Sequence, residues 1–470
     1  MTTKEPPASR LEELGYKQQL ARRLSVKEVV GLAMADVSPT MAVLFLTAGV
    51  FVVGGTFSIG AAFILSAVVI MIALCLAELA ALFPIAGGMY SLVRHVLPGP
   101  LSWITTFNYL LQGVVIPASI ALGMVGFLKD LIPGLGLPST VLAVILLALA
   151  IGVALTTVEA GAWTTAVMVV VELIVLAIVT VAALLHPHQS LADVTFSPMV
   201  LDGGQLTAVT VAVMLATLAP MFNVINGYDA ALGFAEELKG GERNLAKAVV
   251  ISAALACVLI VVPLICAVIA APDLKEFFSS PAPVVYSVEA ALGSSARIIV
   301  DVGASIALFN AMLSLLMYFG RGVYTTGRDG LWPRGVNRAL STLNRFRSPA
   351  AGVLALAVPA AVLVFTSALN FLIIFAGTMI AAVYLCIGLA ALYSRRSHAT
   401  ARRPYKLPLW PVPPLIVVAF TALALATQER QYLIAEGVLV LVALTCWLAS
   451  RHWNRPASAD PVPTAAQVDS

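Results

Sequence analysis

Long apolar runs follow one another along nearly the whole chain, parted by short polar or Gly- and Pro-marked turns. A bilayer crossing takes roughly 20 apolar residues. Twelve runs approach that length: about Val29–Val53, Ser58–Phe83, Leu101–Leu128, Ser139–Thr157, Thr164–Leu185, Thr207–Phe234, Leu245–Ala271, Ala296–Gly320, Pro349–Ser367, Leu369–Tyr393, Pro411–Ala426 and Gln431–Leu448. The pattern predicts an all-α polytopic membrane protein with 12 transmembrane helices.

Two of these runs lose their helical pattern partway. Run 6 lies within Thr217–Ala248, TLAPMFNVINGYDAALGFAEELKGGERNLAKA. Its periodicity lapses from Phe222 to Gly227, where Asn223 and Asn226 sit at mid-depth. The helix is expected to resume and leave the membrane through Glu236, Glu237, Lys239, Glu242 and Arg243. Run 1 breaks over Gly31–Thr40, GLAMADVSPT. Pro39 lacks a backbone donor and disfavours helix at Ser38, and Asp36 places an ionisable group near mid-membrane. Unwound backbone inside a bilayer is tolerated only when it is buried in protein or lines a cavity.

The two breaks are five runs apart. Five is odd, so a repeat of five spans must be inverted in the membrane. Broken helices at matching positions in two halves point to the binding site of an inverted-repeat secondary transporter. The freed helix N-termini attract carboxylates and the freed carbonyls attract cations. This predicts a 5+5 inverted repeat, repeat one over 27–185 and repeat two over 206–393, with two extra helices over 411–448. Each break taken alone is also what a simple helix kink looks like.

Composition agrees with this reading. The chain is 60% hydrophobic and 11% charged, with mean hydropathy +0.98, against about 25% charged in soluble domains. The net charge of +3 argues for no nucleic-acid partner; the basic residues have another use. With the N-terminus inside, the outer loops keep only Lys129, Lys275, Arg297 and Arg430 of the 27 Lys and Arg. That asymmetry places both termini in the cytoplasm of a plasma-membrane protein. Trp103, Trp163, Trp332, Trp410 and Trp447 fall at predicted membrane edges, as amphipathic rings prefer. The tails, 1–26 and 451–470, are polar and rich in Pro, Ser and charge, and the first is not a cleaved signal peptide. The five cysteines lie in apolar runs without CxxC spacing, which indicates neither a disulfide frame nor a metal site. His95, His186, His188, His398 and His452 fall in loops or at span ends.

Three stretches resemble signatures of the amino acid–polyamine–organocation superfamily of permeases, in the flavour of its amino acid/choline transporter branch. The end of run 2 and its turn, AELAALFPIAGGMY, carries Glu78, Pro84, Ala86, Gly87, Gly88 and Tyr90. Run 6 carries GYDAALGFAEELKGGERN, and run 8 is followed by GRGVYTTGRDGLWP. The N-terminal LGYKQQLARRLS, Leu14–Ser25, is similar to the same branch. The resemblance implies alternating access and a small-molecule substrate that carries an amine. The chain departs from the pattern in two places. Asp36 stands where many relatives offer small residues to a substrate carboxylate, and Lys239-Gly240-Gly241-Glu242 replaces the usual Asn-Pro turn.

Candidate site residues follow from the two breaks: Asp36, Val37, Ser38, Pro39 and Thr40 in run 1, and Phe222, Asn223, Asn226, Gly227 and Tyr228 in run 6. A carboxylate in low dielectric is costly unless paired. By analogy with related amine transporters, Asp36 meets the substrate ammonium; otherwise it caps the helix after the break or pairs with a nearby Ser or backbone amide. Glu172 lies inside run 5, near where several proton-coupled relatives carry a Lys, and is the candidate coupling residue. A H+ or Na+ coupling ion is compatible with the chain, and no organic cofactor is implied. Asn108, Gln112 and Asn310 either line the cavity or bond between helices. Glu78, Glu236, Arg321 and Arg328 are candidates for a cytoplasmic gate, Asp229 for a structural role, and Asp301 for a wet position near the outer surface.

The favoured function is secondary active transport of amino acids or related amines, with a polyamine-, choline- or ethanolamine-type permease read through Asp36 as the alternative. A membrane-embedded enzyme would need mid-span histidines, HExxH or GxSxG at a useful position, and a channel would need a repeated filter loop or rings of like charge. Neither pattern occurs.

Overall fold

The computed structural model describes residues 22–453 apart from 86, 157 and 347, with backbone alone over 158–166. Ala86 of the first signature, the Trp163 side chain, Arg347, Leu14–Ala21 of the N-terminal stretch and the tails 1–21 and 454–470 lie outside the described residues. Among the described residues, nine helices are long and apolar enough to cross a membrane.

The chain enters through α1 (Val26–Val37), whose start is set by a capping box. The Ser25 backbone N–H donates to Glu28 Oε2 at 2.7 Å, and Glu28 N–H donates back to the Ser25 hydroxyl. This reciprocal pairing satisfies two donors that a helix start leaves orphaned. After Ser38 the helix resumes as α2 (39–54), which includes a π-helical stretch, Ala42–Leu46. Next come α3 (Phe57–Leu82), α4 (Gly99–Leu131), α5 (Ser139–Ala154) and α6 (Val158–Leu185).

Between α6 and the next long helix lies a hairpin that the apolar pattern does not predict. Strands β1 (Met199–Asp202) and β2 (Gln205–Ala208) pair antiparallel, with Met199 opposite Ala208. Gly203 and Gly204, with φ of 55° and 79°, make the turn, and two positive φ values in a row suit glycine. Thr207, taken from sequence as the start of run 6, therefore belongs to a strand. The hairpin is tied to the α2–α3 turn through Thr56, whose N–H donates to Met199 O and whose hydroxyl accepts from Met199 N–H, both at 2.9 Å.

The second half runs through α7 (Val211–Val224), a 3-10 helix (Tyr228–Phe234), α8 (Glu242–Ile269), α9 (Ser294–Arg328), α10 (Ala350–Thr366), α11 (Leu369–Ser397), α12 (Val412–Ala426) and α13 (Arg430–Trp453). One continuous apolar core joins the helices. The most buried spans are α1–α2 and α11, whereas α13 lies at the periphery with most of its surface uncovered. Helices α4 and α9 pack along each other, as do α3 and α8, and α11 packs against α4, α7 and α12. The first break, at Ser38 to Thr40, is buried, and of the second Ile225 is buried and Asn226 partly so.

Candidate functional site

The break in run 1 is narrower than the sequence predicts. Helix α1 continues through Asp36 to Val37, and only Ser38 departs, with φ 40° and ψ 72°. Gly31 is helical and does not take part. Pro39 restarts the helix at its first position, where its missing N–H costs least and its fixed φ already suits a helix. In run 6 the helix stops at Val224, and Ile225 to Gly227 are non-helical. The chain does not resume as an α-helix there. It tightens into the 3-10 helix, which Gly227 enters with φ 93°.

The two breaks touch. A Cβ added to Gly227 would lie 2.9 Å from both Cα and N of Val37. Only glycine allows this approach, for both steric and conformational reasons.

Around this crossing one face of α9 addresses three buried acids. Asn310, Ser314 and Tyr318 are spaced by four, so they stack along one side of the helix. Asn310 Nδ2 donates to Glu172 Oε1 at 2.9 Å. Ser314 Oγ donates to Asp36 Oδ1 at 3.2 Å. Tyr318 Oη donates to Asp229 Oδ2 at 3.1 Å. Glu172 also accepts from the Ser38 hydroxyl at 2.7 Å through Oε2, and its backbone carbonyl accepts from the Thr40 hydroxyl at 2.7 Å. Asp36, Glu172 and Asp229 are all buried, and among the described residues none of them makes an ion pair. Of the roles open to Asp36 besides substrate contact, the structure shows the pairing with a serine, and the helix that restarts after the break has no side-chain cap. Ser314 and Tyr318 were not assigned this role from sequence. Their spacing was visible, but what the face meets depends on helices far away in the chain.

The remaining residues of the second break are engaged with α11 and α12. Asn223 Nδ2 donates to Ile373 O at 3.0 Å, and Tyr384 Oη donates to Asn226 Oδ1 at 2.8 Å. Phe222 packs on Tyr384 and Phe420, and Tyr228 stacks on Tyr384.

Of the three polar candidates for the cavity, only Asn310 joins this centre. Asn108 on α4 turns to α13, where Nδ2 donates to Glu436 Oε1 at 2.9 Å. Gln112 donates to the carbonyl of Asn108, one turn away. Glu436, an acid inside the last apolar run, was passed over in the sequence although it announces itself by the same sign as Glu172.

Two of the four gate candidates, Glu78 and Arg321, are engaged separately and not with each other. Glu78 on α3 is held by Arg395 of α11 in a two-point contact at 2.9 and 3.0 Å, by Arg403 at 2.7 Å and by Leu407 N–H at 3.0 Å. Arg321 instead lies over the Phe234 ring at 5.9 Å, and Arg328 faces Asp329 at 3.8 Å. Glu236 is buried near that end of the bundle. Beside it, burial pushes the Glu237 carboxyl above its ordinary range, with the Arg321 charge opposing. Asp301 also departs from expectation: it is 2% exposed and lies 3.5 Å from Arg297, within a helix turn.

Compared with known proteins, residues 24–445 match the family model described as amino acid permease. The chain belongs to the amino acid permease family. The permease is thus a member of the superfamily that its three signatures resemble, an integral multi-pass membrane protein and a transporter rather than an enzyme. It is 26% identical over 406 residues to a branched-chain amino acid permease of Lactococcus lactis subsp. cremoris (strain MG1363), covering 80% of this chain and 83% of the relative. It is 23% identical to a branched-chain amino acid permease of Bacillus subtilis (strain 168), with 82% and 83% covered. A methylthioribose transporter of the same B. subtilis strain is 23% identical over 364 residues, with 73% and 75% covered.

Proposed function

We propose that the permease is a secondary active transporter that moves amino acids or related amines across the plasma membrane by alternating access. In this reading twelve spans form a five-plus-five inverted repeat with α12 and α13 outside it, both termini face the cytoplasm, and the substrate binds where the two broken helices cross. The observation that carries the reading is the shared face of α9, which binds acids belonging to both breaks and to α6 at once. A helix so placed reports on the substrate site and on the coupling residue together.

Glu172 is the proposed coupling residue. Its carboxyl is buried, takes donors from α2's side of the first break and from α9, and has no counter-charge among the described residues. A proton arriving there neutralises a charge that burial disfavours, and Ser38 links that event to the break itself. Asp36 is the proposed contact for a substrate amine, since its single hydroxyl donor leaves a buried carboxylate short of partners. The names of the relatives direct the first substrates towards small neutral amino acids with apolar side chains. Amines without a carboxylate are the second reading, favoured by the Asp36 charge.

The test is uptake into proteoliposomes, with and without an inward pH gradient, comparing L-valine and L-leucine with choline, ethanolamine and isobutylamine. Gradient-driven accumulation of the amino acids, lost in Asp36→Asn, is the expected result. Accumulation of amines alone establishes the second reading. Uptake that Asp36→Asn leaves unchanged removes Asp36 from the site, and counterflow without gradient-driven accumulation makes the permease an exchanger.

A further inference from the structure

Outside the crossing, one further acid within a long apolar helix is used neither by the transport cycle described above nor, among the described residues, by an ion pair. Glu436 lies in the second turn of α13, the least enclosed of the long helices among the described residues, and turns its carboxyl inward to α4. Its partner, Asn108, is fully buried.

The hydrogen bonds between these two residues leave a specific gap. Both hydrogens of the Asn108 amide are committed, one to Glu436 Oε1 at 2.9 Å and one to the carbonyl of Ile104 at 3.2 Å. The Ile104 carbonyl fixes which end of the carboxamide is nitrogen, because an oxygen placed there would face another acceptor. Asn108 Oδ1 is then left without a donor, and so is Glu436 Oε2. Two adjacent groups thus present two buried acceptors and nothing to give them a hydrogen. Buried polar atoms are almost always paired, so each exception calls for a physical cause.

Among the described residues no cation pairs with Glu436. Helix α13 packs against α4 and α11. From α11 the titratable neighbour is Cys386, beside Thr105 of α4; on α13 itself Tyr432, one turn away, is stacked on Phe371. An isolated carboxylate charge in such a place is costly, and intramembrane acids of this kind mark functional positions.

We propose that Glu436 and Asn108 form a second proton-binding site of the permease, in which Glu436 holds a hydrogen on Oε2 and donates it to Asn108 Oδ1. The proton turns one of the two orphaned acceptors into a donor and satisfies the other. It removes the charge and closes a two-bond acid–amide pair that seats α13 on α4. The site is separate from the crossing of the broken helices and does not depend on what is transported there.

Infrared difference spectra of the purified full-length chain at neutral pH test this. A carboxylic-acid carbonyl band present in the wild type is expected to disappear in Glu436→Gln. In Asn108→Ala, where the acid loses both partners, the same band is expected to move to higher frequency. Thermal unfolding supplies a second readout, because glutamine offers an N–H where the acid offered its O–H. Glu436→Gln is therefore expected to keep the wild-type melting temperature, while Glu436→Ala loses stability. A wild-type spectrum with no acid band removed by Glu436→Gln overturns the proposal and makes Glu436 an ionised group, and an acid band that Asn108→Ala leaves in place overturns it by showing that the proton is not shared with Asn108.

Discussion

The Ser38 hydroxyl donates to Glu172 Oε2 across 2.7 Å, and the two residues are 134 positions apart in the chain. Ser38 is also the residue that interrupts the first span. The break and the buried acid are therefore one structural unit, and whatever alters the proton on Glu172 alters the hydrogen bond that the break itself makes. The same oxygen pair accepts from Asn310 of α9, so the unit spans three segments of the chain.

Replacing Glu172 separates its charge from its packing. Glutamine keeps an acceptor for Asn310, and Ser38 has a second acceptor in the carbonyl of Ala307 at 3.4 Å. Glu172→Gln is expected to fold with nearly wild-type stability and to retain counterflow while losing accumulation driven by a pH gradient. Glu172→Leu strands the Asn310 amide, and an unpaired buried donor costs about 1–3 kcal/mol. Thermal unfolding and proteoliposome uptake measured on both variants check the separation. Gradient-driven accumulation by Glu172→Gln sinks the coupling role.

Gly227 is a position where one methyl group is expected to stop transport. Alanine there must adopt φ 93° and place its Cβ 2.9 Å from backbone atoms of Val37. A residue held in such a conformation costs roughly 1–3 kcal/mol, and the contact is with backbone that cannot rotate away. Gly227→Ala should push the two breaks apart, with uptake reduced about tenfold or more. Comparison with Gly31→Ala supplies the control, since nothing lies within 4 Å of a Cβ there. Equal uptake by the two variants would show that the crossing need not be tight.

Glu78 ties α3 to the α11 end and to the segment leading into α12. Its four donors include two guanidinium groups, with Arg403 6% and Arg395 27% exposed in their side chains. Removing one partner of a buried pair costs about 3–5 kcal/mol, because the opposite charge is left uncompensated. Arg395 can recover part of this through water, so Glu78→Gln is expected to lie near the lower end of that range. Melting temperature in detergent measures it. A shift no larger than that of an exposed charge substitution such as Glu429→Gln would mean the cluster is not a structural tie.

What could be read from the sequence follows a physical line. Asp36 and Glu172 were legible because a charged residue in an apolar run is conspicuous and expensive, and the same rule pointed at Glu436, which was missed. The breaks were legible through Pro39 and Gly227, residues that act on the chain locally. Partnerships were not. The charges near Glu78 could be counted, but choosing Arg395 and Arg403 over Arg321 and Arg328 requires the packing of α3 on α11. The Asn310, Ser314 and Tyr318 spacing marks a face without saying what it meets. The hairpin at Met199–Ala208 was hidden because its four-residue strands are too short for alternation to stand out beside the apolar runs around them.

The residue just before the first broken helix is fastened to the segment that follows the second. Leu24 N–H donates to Glu237 O at 3.0 Å, and Lys239 N–H donates to Leu24 O at 2.8 Å, a parallel bridge that places Leu24 opposite Leu238. Two backbone bonds just before the capping box of α1 leave that helix little freedom to swing away from the 3-10 helix. The two segments should then move together during transport. A Leu24→Cys, Leu238→Cys pair tests this, since residues opposed across neighbouring strands lie within reach of a disulfide. Oxidation is expected to leave proteoliposome uptake close to the reduced level. Uptake that stops on oxidation and returns on reduction would show that the segments part in every cycle and that the bridge belongs to one conformation alone.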